Sequence, residues 1–273
     1  MIETITSVQN PLIKRIVNLK QKKYRDKENL FIAEGVRLAE DALKSLTNIK
    51  YCFYTKNSLE NKRIMAIIER LKTEPIKLIE VSLSVYEKIT ETNEPQGIMV
   101  ILQHNNYNLK EFAKLEKPFL IILDTIQDPG NIGTIIRTAE ASGCNGVILT
   151  KGCADIYAGK TVRATMGAML RLPIVTNVSP EELIVFFKEN DIELFTTEIT
   201  NGREYYNEEY NVPLGLVFGN EGNGVNPELS QKIKKKIYIP MIGAGESLNV
   251  GVAAGIIMYE VFRQRNCITV NNL

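Results

Sequence analysis

Little in this chain points to a metal centre, a disulfide scaffold or a membrane. Its four cysteines, Cys52, Cys144, Cys153 and Cys267, are far apart and form no CxxC pair, which argues against a zinc site and against disulfide stapling. They read as small apolar residues or inert thiols. No apolar run approaches the roughly 20 residues of a membrane helix. The first residues hold no basic segment leading into an apolar core, so the expectation is a cytoplasmic protein without a leader. Net charge is only +1, so attraction to a polyanion has to come from local patches and not from a global field. Histidine is reduced to His104, and neither an internal repeat nor a low-complexity tract is present.

What the chain does have is a regular alternation of helical and strand patterns. Asn10 caps a helix that starts at Pro11, with Leu12, Ile13, Ile16 and Leu19 at helical spacing. Strands over 30–33, 49–54, 76–81 and 97–102 alternate with helices over 36–43 and 58–71, giving a first α/β unit over 1–103. Residues 104–117 are polar and contain adjacent asparagines, the marks of a linker. A second unit, 118–268, opens with the wholly apolar run 119–123, a strand buried on both faces. Helices over 132–142, 160–169, 180–190 and 248–264 then alternate with strands near 147–150, 172–176, 192–197, 214–218 and 236–239. The pattern predicts a parallel sheet with helices on both sides. His104 falls in the linker, so the second unit has no histidine to act as a base.

Three blocks set polar or glycine residues directly after apolar strand-like runs, where an open α/β sheet builds its ligand crevice. In the first, Asp128 to Arg137, the Pro129-Gly130 pair turns the chain and a helix starts beside Asn131. Arg137 follows nearly two turns later, so its side chain can reach back toward a helix N-terminus that already favours anions. Its planar fork suits phosphate; alternatively, Asn131 is a plain helix cap and Arg137 faces solvent. The second block packs Gly219, Gly222, Gly224 and Glu221 into a strand exit, permitting close backbone approach to a ligand or forming a simple turn. In the third, Ile239 to Gly251, Gly243 and Gly245 free the loop and Ser247 stands where it can cap the final helix. That cap leaves Asn249 unexplained.

A competing motif runs from Ala154 to Thr161, a relaxed phosphate-loop pattern ending in Gly159-Lys160-Thr161, with Leu120 to Asp124 as its magnesium-binding partner. It would make the chain an NTPase. The loop would, however, set Asp155 against a polyphosphate, and it lacks the glycine that lets backbone amides converge. It also leaves the second and third blocks idle. Gly243 to Leu248 fails a dinucleotide-binding pattern at its last glycine.

Together these residues resemble the SpoU, or TrmH-like, branch of the SPOUT superfamily of RNA ribose 2′-O-methyltransferases. Asn131 and Arg137 match its first motif, Gly219 and Glu221 its second, and Pro240 with Ser247, Leu248 and Asn249 its third. Segments 7–11, 31–37 and 94–97 look like the L30e-like RNA substrate-binding domain that precedes the catalytic domain in many members. The resemblance covers nearly the whole chain. It implies an α/β fold in which a parallel-sheet domain with a deep trefoil knot follows a smaller L30e-like domain. It also implies S-adenosylmethionine held at Thr197, Gly219, Asn220, Ile239 and Leu248, a homodimer joined through the C-terminal domain, and no metal.

In the same resemblance the catalytic group is Arg137, Asn131, Glu221, Ser247 and Asn249. Arg137 would bind the target phosphate, Asn131, Ser247 and Asn249 would orient phosphate and ribose, and Glu221 would organise Arg137 or the knot loop. Arginine stays protonated in proteins, so its contribution is charge beside the developing alkoxide. The substrate implied is RNA, 23S ribosomal RNA in preference to transfer RNA. A non-catalytic RNA-binding protein is the alternative of another class, and the intact catalytic group argues against it. Departures are small: Gly251 and Thr165 stand where many relatives carry serine. Lys14, Arg15, Lys20, Lys22, Lys23, Arg25, Lys27 and Arg37 cluster in the first unit, and Lys232, Lys234, Lys235 and Lys236 precede the third block. These read as RNA-facing surfaces or as solvated helix faces.

Overall fold

The computed structural model describes residues 3–44, 49–198, 202–243 and 247–266. Two compact units emerge, one of the chain up to Asn105 together with Asp155–Arg171, the other of Asn106–Ala154 with the chain from Leu172 onward. Residues 155–171, which the sequence pattern assigns to the second unit, thus complete the first.

In the first unit β1 (Glu3–Ile5), α1 (Pro11–Asn18), α2 (Lys22–Glu28), β2 (Leu30–Glu34), α3 (Val36–Lys44), β3 (Ile49–Thr55), α4 (Lys62–Leu71), β4 (Lys77–Val81), α5 (Leu83–Ile89) and β5 (Ile98–Gln103) follow one another. The strands form a sheet in the order β1-β4-β3-β5-β2, parallel at β1/β4 and β4/β3 and antiparallel on both sides of β5. Local chemistry sets the helix starts. Asn10 Oδ1 accepts from the Leu12 N–H at 2.8 Å while Pro11 takes the first helical position, where its missing N–H costs nothing. Ile13 and Ile16 of α1 and Tyr86 and Ile89 of α5 then pack with Phe53, Ile79 and Ile101 in the core.

The second unit opens with β6 (Phe119–Leu123), α6 (Pro129–Ala141) and β7 (Gly146–Thr150). The chain leaves it for α7 (Gly159–Ala164) and returns as β8 (Ile174–Val178), α8 (Pro180–Glu189), β9 (Glu193–Thr197), β10 (Arg203–Glu204), β11 (Leu214–Phe218), α9 (Pro227–Ser230), β12 (Lys235–Tyr238) and α10 (Val250–Asn266). Its sheet runs β10-β12-β9-β11-β6-β7-β8, with parallel pairing throughout the described strands. Every residue of β6, β7 and β11 is buried, which is why these segments are apolar without alternation. The helix expected over 160–169 is cut short: α7 ends at Ala164, and Met166 and Gly167 turn the chain at φ 50° and 87°.

From β6 the chain steps outward through β7 to β8, then crosses to the other side of β6 for β9 and β11. The switch therefore lies between β6 and β11, paired from Phe119 against Leu214 to Leu123 against Phe218. Ligands of open α/β sheets bind outside the carboxyl ends of the strands at such a point. Among the described residues no helix is long and apolar enough to cross a membrane. Burial pushes the thiols of Cys52 and Cys144 up to about 12 and that of Cys153 to about 11, the signature of inert thiols; Cys267 lies outside the described residues.

Candidate functional site

The helix that leaves β6 is capped by Asp128 and not by Asn131. Asp128 Oδ1 accepts from the Asn131 N–H at 2.7 Å, with Pro129 at the first helical position. The Asn131 side chain is thereby free to work elsewhere. Its Nδ2 donates to Glu221 Oε1 at 2.8 Å, and its Oδ1 accepts from Asn249 Nδ2 at 3.0 Å. One hydrogen-bonded chain, Asn249 to Asn131 to Glu221, joins the segments that follow β12, β6 and β11.

Asn249 is also the cap of α10. Its Oδ1 accepts from the N–H groups of Gly251 at 2.9 Å and Val252 at 3.3 Å, which corrects the expectation that Ser247 caps this helix. Ser247 lies ahead of the cap, exposed and without a hydrogen bond among the described residues. Gly245 of the same block lies outside the described residues.

The loop after β11 is shaped by Asn220. Its backbone exchanges two hydrogen bonds of 2.9 Å with Gly224, while its Oδ1 accepts from the Gly222 and Asn223 N–H groups at 3.0 and 3.1 Å. Its Nδ2 donates to the Thr125 carbonyl at 3.0 Å. Asparagine closes turns of this kind on its own backbone. Gly219 has a steric reason: a Cβ there would lie 2.1 Å from the Val225 nitrogen.

Beneath the loop, Asp124 is 1% exposed and accepts from the Asn226 N–H at 2.7 Å and the Thr150 hydroxyl at 2.8 Å. Thr125 follows at φ 55°, an outlier for a β-branched residue. Sequence reasoning missed both anchors. The pattern Asn220-Glu221-Gly222-Asn223-Gly224 announces the turn, but nothing local says what it is tied to.

The same bonds remove the phosphate-loop reading. Both oxygens of Asp124 are engaged, Asp155 pairs with Arg25 at 2.5 Å, and the Thr161 hydroxyl donates to the Asp155 carbonyl at 2.9 Å. Both carboxylates and the hydroxyl thus serve bonds that hold the fold together.

Arg137 is exposed on α6 and makes no hydrogen bond or ion pair among the described residues. Glu221, expected to organise it or the loop, accepts from Asn131 Nδ2 at 2.8 Å and, within the loop, from Asn220 Nδ2 at 3.5 Å. At the end of β9, Thr197 Oγ1 donates to the Val217 carbonyl at 3.2 Å, and the neighbouring Thr196 hydroxyl is buried with no partner among the described residues. Ile239 is half-buried, whereas Leu248, although apolar, is 40% exposed.

Part of the expected basic surface is committed internally. Arg25 is buried and donates to the Leu19 and Lys20 carbonyls as well as to Asp155. Lys20 caps the end of α5 through the Lys88 and Thr90 carbonyls, Arg15 pairs with Glu28, and Lys22 pairs with Asp26. Beside the third block, Lys235 and Lys236 pair with Glu193 and Glu198. Lys14, Lys23, Lys27 and Arg37 have no ion pair among the described residues.

Residues 118–259 match the SpoU rRNA Methylase family, and residues 10–100 match the MRM3-like substrate binding domain. Over 260 residues the chain is 34% identical to the 23S rRNA (guanosine(2553)-2′-O)-methyltransferase RlmP of Bacillus subtilis, covering 95% of this chain and 99% of that protein. The AdoMet-bound rRNA methyltransferase of Sinorhizobium meliloti superposes with a TM-score of 0.87 at 32% identity, covering 96% of this chain and 98% of the other. An RNA 2′-O ribose methyltransferase superposes with a TM-score of 0.81 at 27% identity, over 96% and 99%. Fold and relatives define an RNA-methylating enzyme. The chain belongs to the SpoU rRNA methylase family.

Proposed function

We propose that this enzyme methylates a ribose 2′-hydroxyl of 23S ribosomal RNA with S-adenosylmethionine, in the cytoplasm. The observation that carries the reading is the Asn249–Asn131–Glu221 chain at the carboxyl ends of β12, β6 and β11. It supports one site built from all three blocks.

The residues present fit the cofactor. Thr197, Gly219, Ile239 and Leu248 offer main-chain groups and apolar surface without charge, Leu248 is exposed, and Thr196 holds an unpartnered buried hydroxyl. These are what an adenosine needs: a partly dry wall and a few polar contacts. The chemistry supplied there is an electrophilic methyl group on a sulfonium sulfur.

The chain's own contribution is positioning and charge. Asn131 and Asn249 each keep one amide N–H beyond the bonds above, aimed from a locked network at phosphate or ribose, with Ser247 beside them. Such pre-orientation is worth several kcal/mol in general terms, about 7–11 at its limit. Arg137, cationic and unpaired, anchors the target phosphate and lowers the energy of the alkoxide as the hydroxyl loses its proton.

The packing of α10 on α6, with Gly251 near Thr134, supports the trefoil knot implied by the resemblance. A homodimer through this unit is supported by Val252, Tyr259 and Phe262 on α10, exposed at 53%, 50% and 40%. The test is transfer of a tritiated methyl group to ribosomal RNA, followed by mapping of the new 2′-O-methyl position. Methylation on a base, or none on any RNA, overturns the proposal.

A further inference from the structure

Three segments singled out in the sequence take no part in the methyl-transfer site: Phe31 to Arg37, Glu94 to Gly97 and Arg163 to Ala168. Within the first unit they meet around a cavity of about 270 Å³. We propose that this cavity binds the base of an unpaired guanosine of the substrate RNA, separate from the nucleotide that is methylated. The inference rests on the reading of the chain as an RNA methyltransferase, and the match of residues 10–100 to a substrate binding domain makes RNA the ligand to consider.

The cavity's apolar lining comes from buried Leu38 and half-buried Met166. A thioether and an isobutyl group are good packing surfaces for a flat ring. Its rim is polar, and the hydrogen bonds fix which atoms remain for a ligand. Gln96 Oε1 accepts from the Val36 N–H at 2.8 Å. Since a backbone N–H can meet only the amide oxygen, Gln96 Nε2 keeps its donors for the ligand. Glu94, two residues earlier, carries a carboxylate with no partner among the described residues.

A carboxylate can accept from the N1–H and the 2-amino group of guanine together, two adjacent donors that adenine, cytosine and uracil do not offer, while an amide N–H donates to O6; RNA recognition reads such edges on splayed bases. Glu34 does not compete for the same groups. It is buried, and its carboxylate accepts from the Thr92 hydroxyl at 2.7 Å, the Glu91 N–H at 3.2 Å and the Thr90 hydroxyl.

Two cations flank the cavity and suit the phosphates on either side of a bound nucleotide. Arg37 makes no hydrogen bond or ion pair among the described residues, and Arg163 is only loosely paired, 3.9 Å from Glu91. The surrounding backbone is held in left-handed conformations at Gly35, Gly97, Gly167 and the non-glycine Met166. Strain of this kind at a non-glycine residue clusters at ligand clamps.

The test is equilibrium binding of fluorescein-labelled oligouridylates that carry one central guanosine or one central adenosine to the full-length protein. The guanosine oligomer is expected to bind about tenfold tighter, the scale of one bidentate base contact. Glu94→Ala should abolish that preference while leaving the thermal midpoint and S-adenosylmethionine binding at wild-type values; Gln96→Leu should do the same to the preference. Equal binding of both oligomers by the wild type overturns the inference, as does a preference that survives Glu94→Ala or a uniform loss across both oligomers. Methyl transfer to ribosomal RNA is measured on the same preparation. Transfer without base preference removes this inference alone, whereas no transfer removes the reading on which it rests.

Discussion

Asn249 performs two tasks that substitution can separate. Replacement by alanine removes the α10 cap, at a cost of about 1 kcal/mol, together with the bond to Asn131. Both the urea midpoint and methyl transfer should fall. Aspartate keeps a capping acceptor but no longer donates to Asn131 Oδ1; if the Asn131 amide turns to meet it, its oxygen faces Glu221. Asn249→Asp should therefore recover most of the stability and little of the transfer activity, and recovery of both would show that the link to Asn131 is incidental. Arg137 makes no hydrogen bond or ion pair among the described residues, so Arg137→Ala should leave the melting temperature and cofactor affinity unchanged while abolishing transfer. Near-normal turnover by that variant, in a filter-binding methylation assay, would remove its assigned role.

At the scale of elements, what the sequence reveals depends on how local the cause is. β6 and β11 were legible to the residue because an uninterrupted apolar run has one good use in a parallel sheet. Helix starts were half legible. Asn10-Pro11 and Asp128-Pro129 are the same signal, a capping side chain ahead of proline, yet the Pro129-Gly130 pair also reads as a turn and draws the cap toward Asn131. The cap of α10 was misassigned because Ser247 and Asn249 are both good caps, and only the position of Asn131 decides between them. That contact spans more than a hundred residues and leaves no trace in local spacing. Asp124 is of the same kind. Asp124→Asn keeps a single acceptor oxygen for the Asn226 N–H and the Thr150 hydroxyl, so one buried bond is lost at about 1–3 kcal/mol. A urea midpoint unchanged by this substitution would show that the loop after β11 does not depend on β6 for its shape.

For the molecule as a whole, the first unit is stabilised by long-range pairs that involve residues 155–171. His104 stacks on Tyr157 with ring centroids 3.7 Å apart, and its Nε2 is buried without a partner among the described residues. Burial lowers its pKa below the ordinary histidine value, outweighing the nearby Asp155 and Asp26. The folded state then binds fewer protons than the unfolded chain, so stability is full above the unfolded pKa of about 6.5 and declines as pH falls through it. Thermal midpoints measured across this range should show that slope in the wild type. His104→Phe, which keeps the stack and removes the titration, should flatten it; an equal slope in both proteins would place the titrating group elsewhere.

The discontinuity of the first unit also bears on the order of synthesis. A ribosome delivers α2 with its Arg25 guanidinium early, but Asp155 follows only after β6, α6 and β7 have been made. Until then a cation destined for burial lacks the Asp155 carboxylate, and the imidazole of His104 lacks the Tyr157 ring on which it stacks. The nascent chain must carry its first unit without residues 155–171, although all five strands of that unit's sheet have been made, while the opening strands of the second are already leaving the exit tunnel. The part that is begun first is closed by a segment translated from the middle of the message.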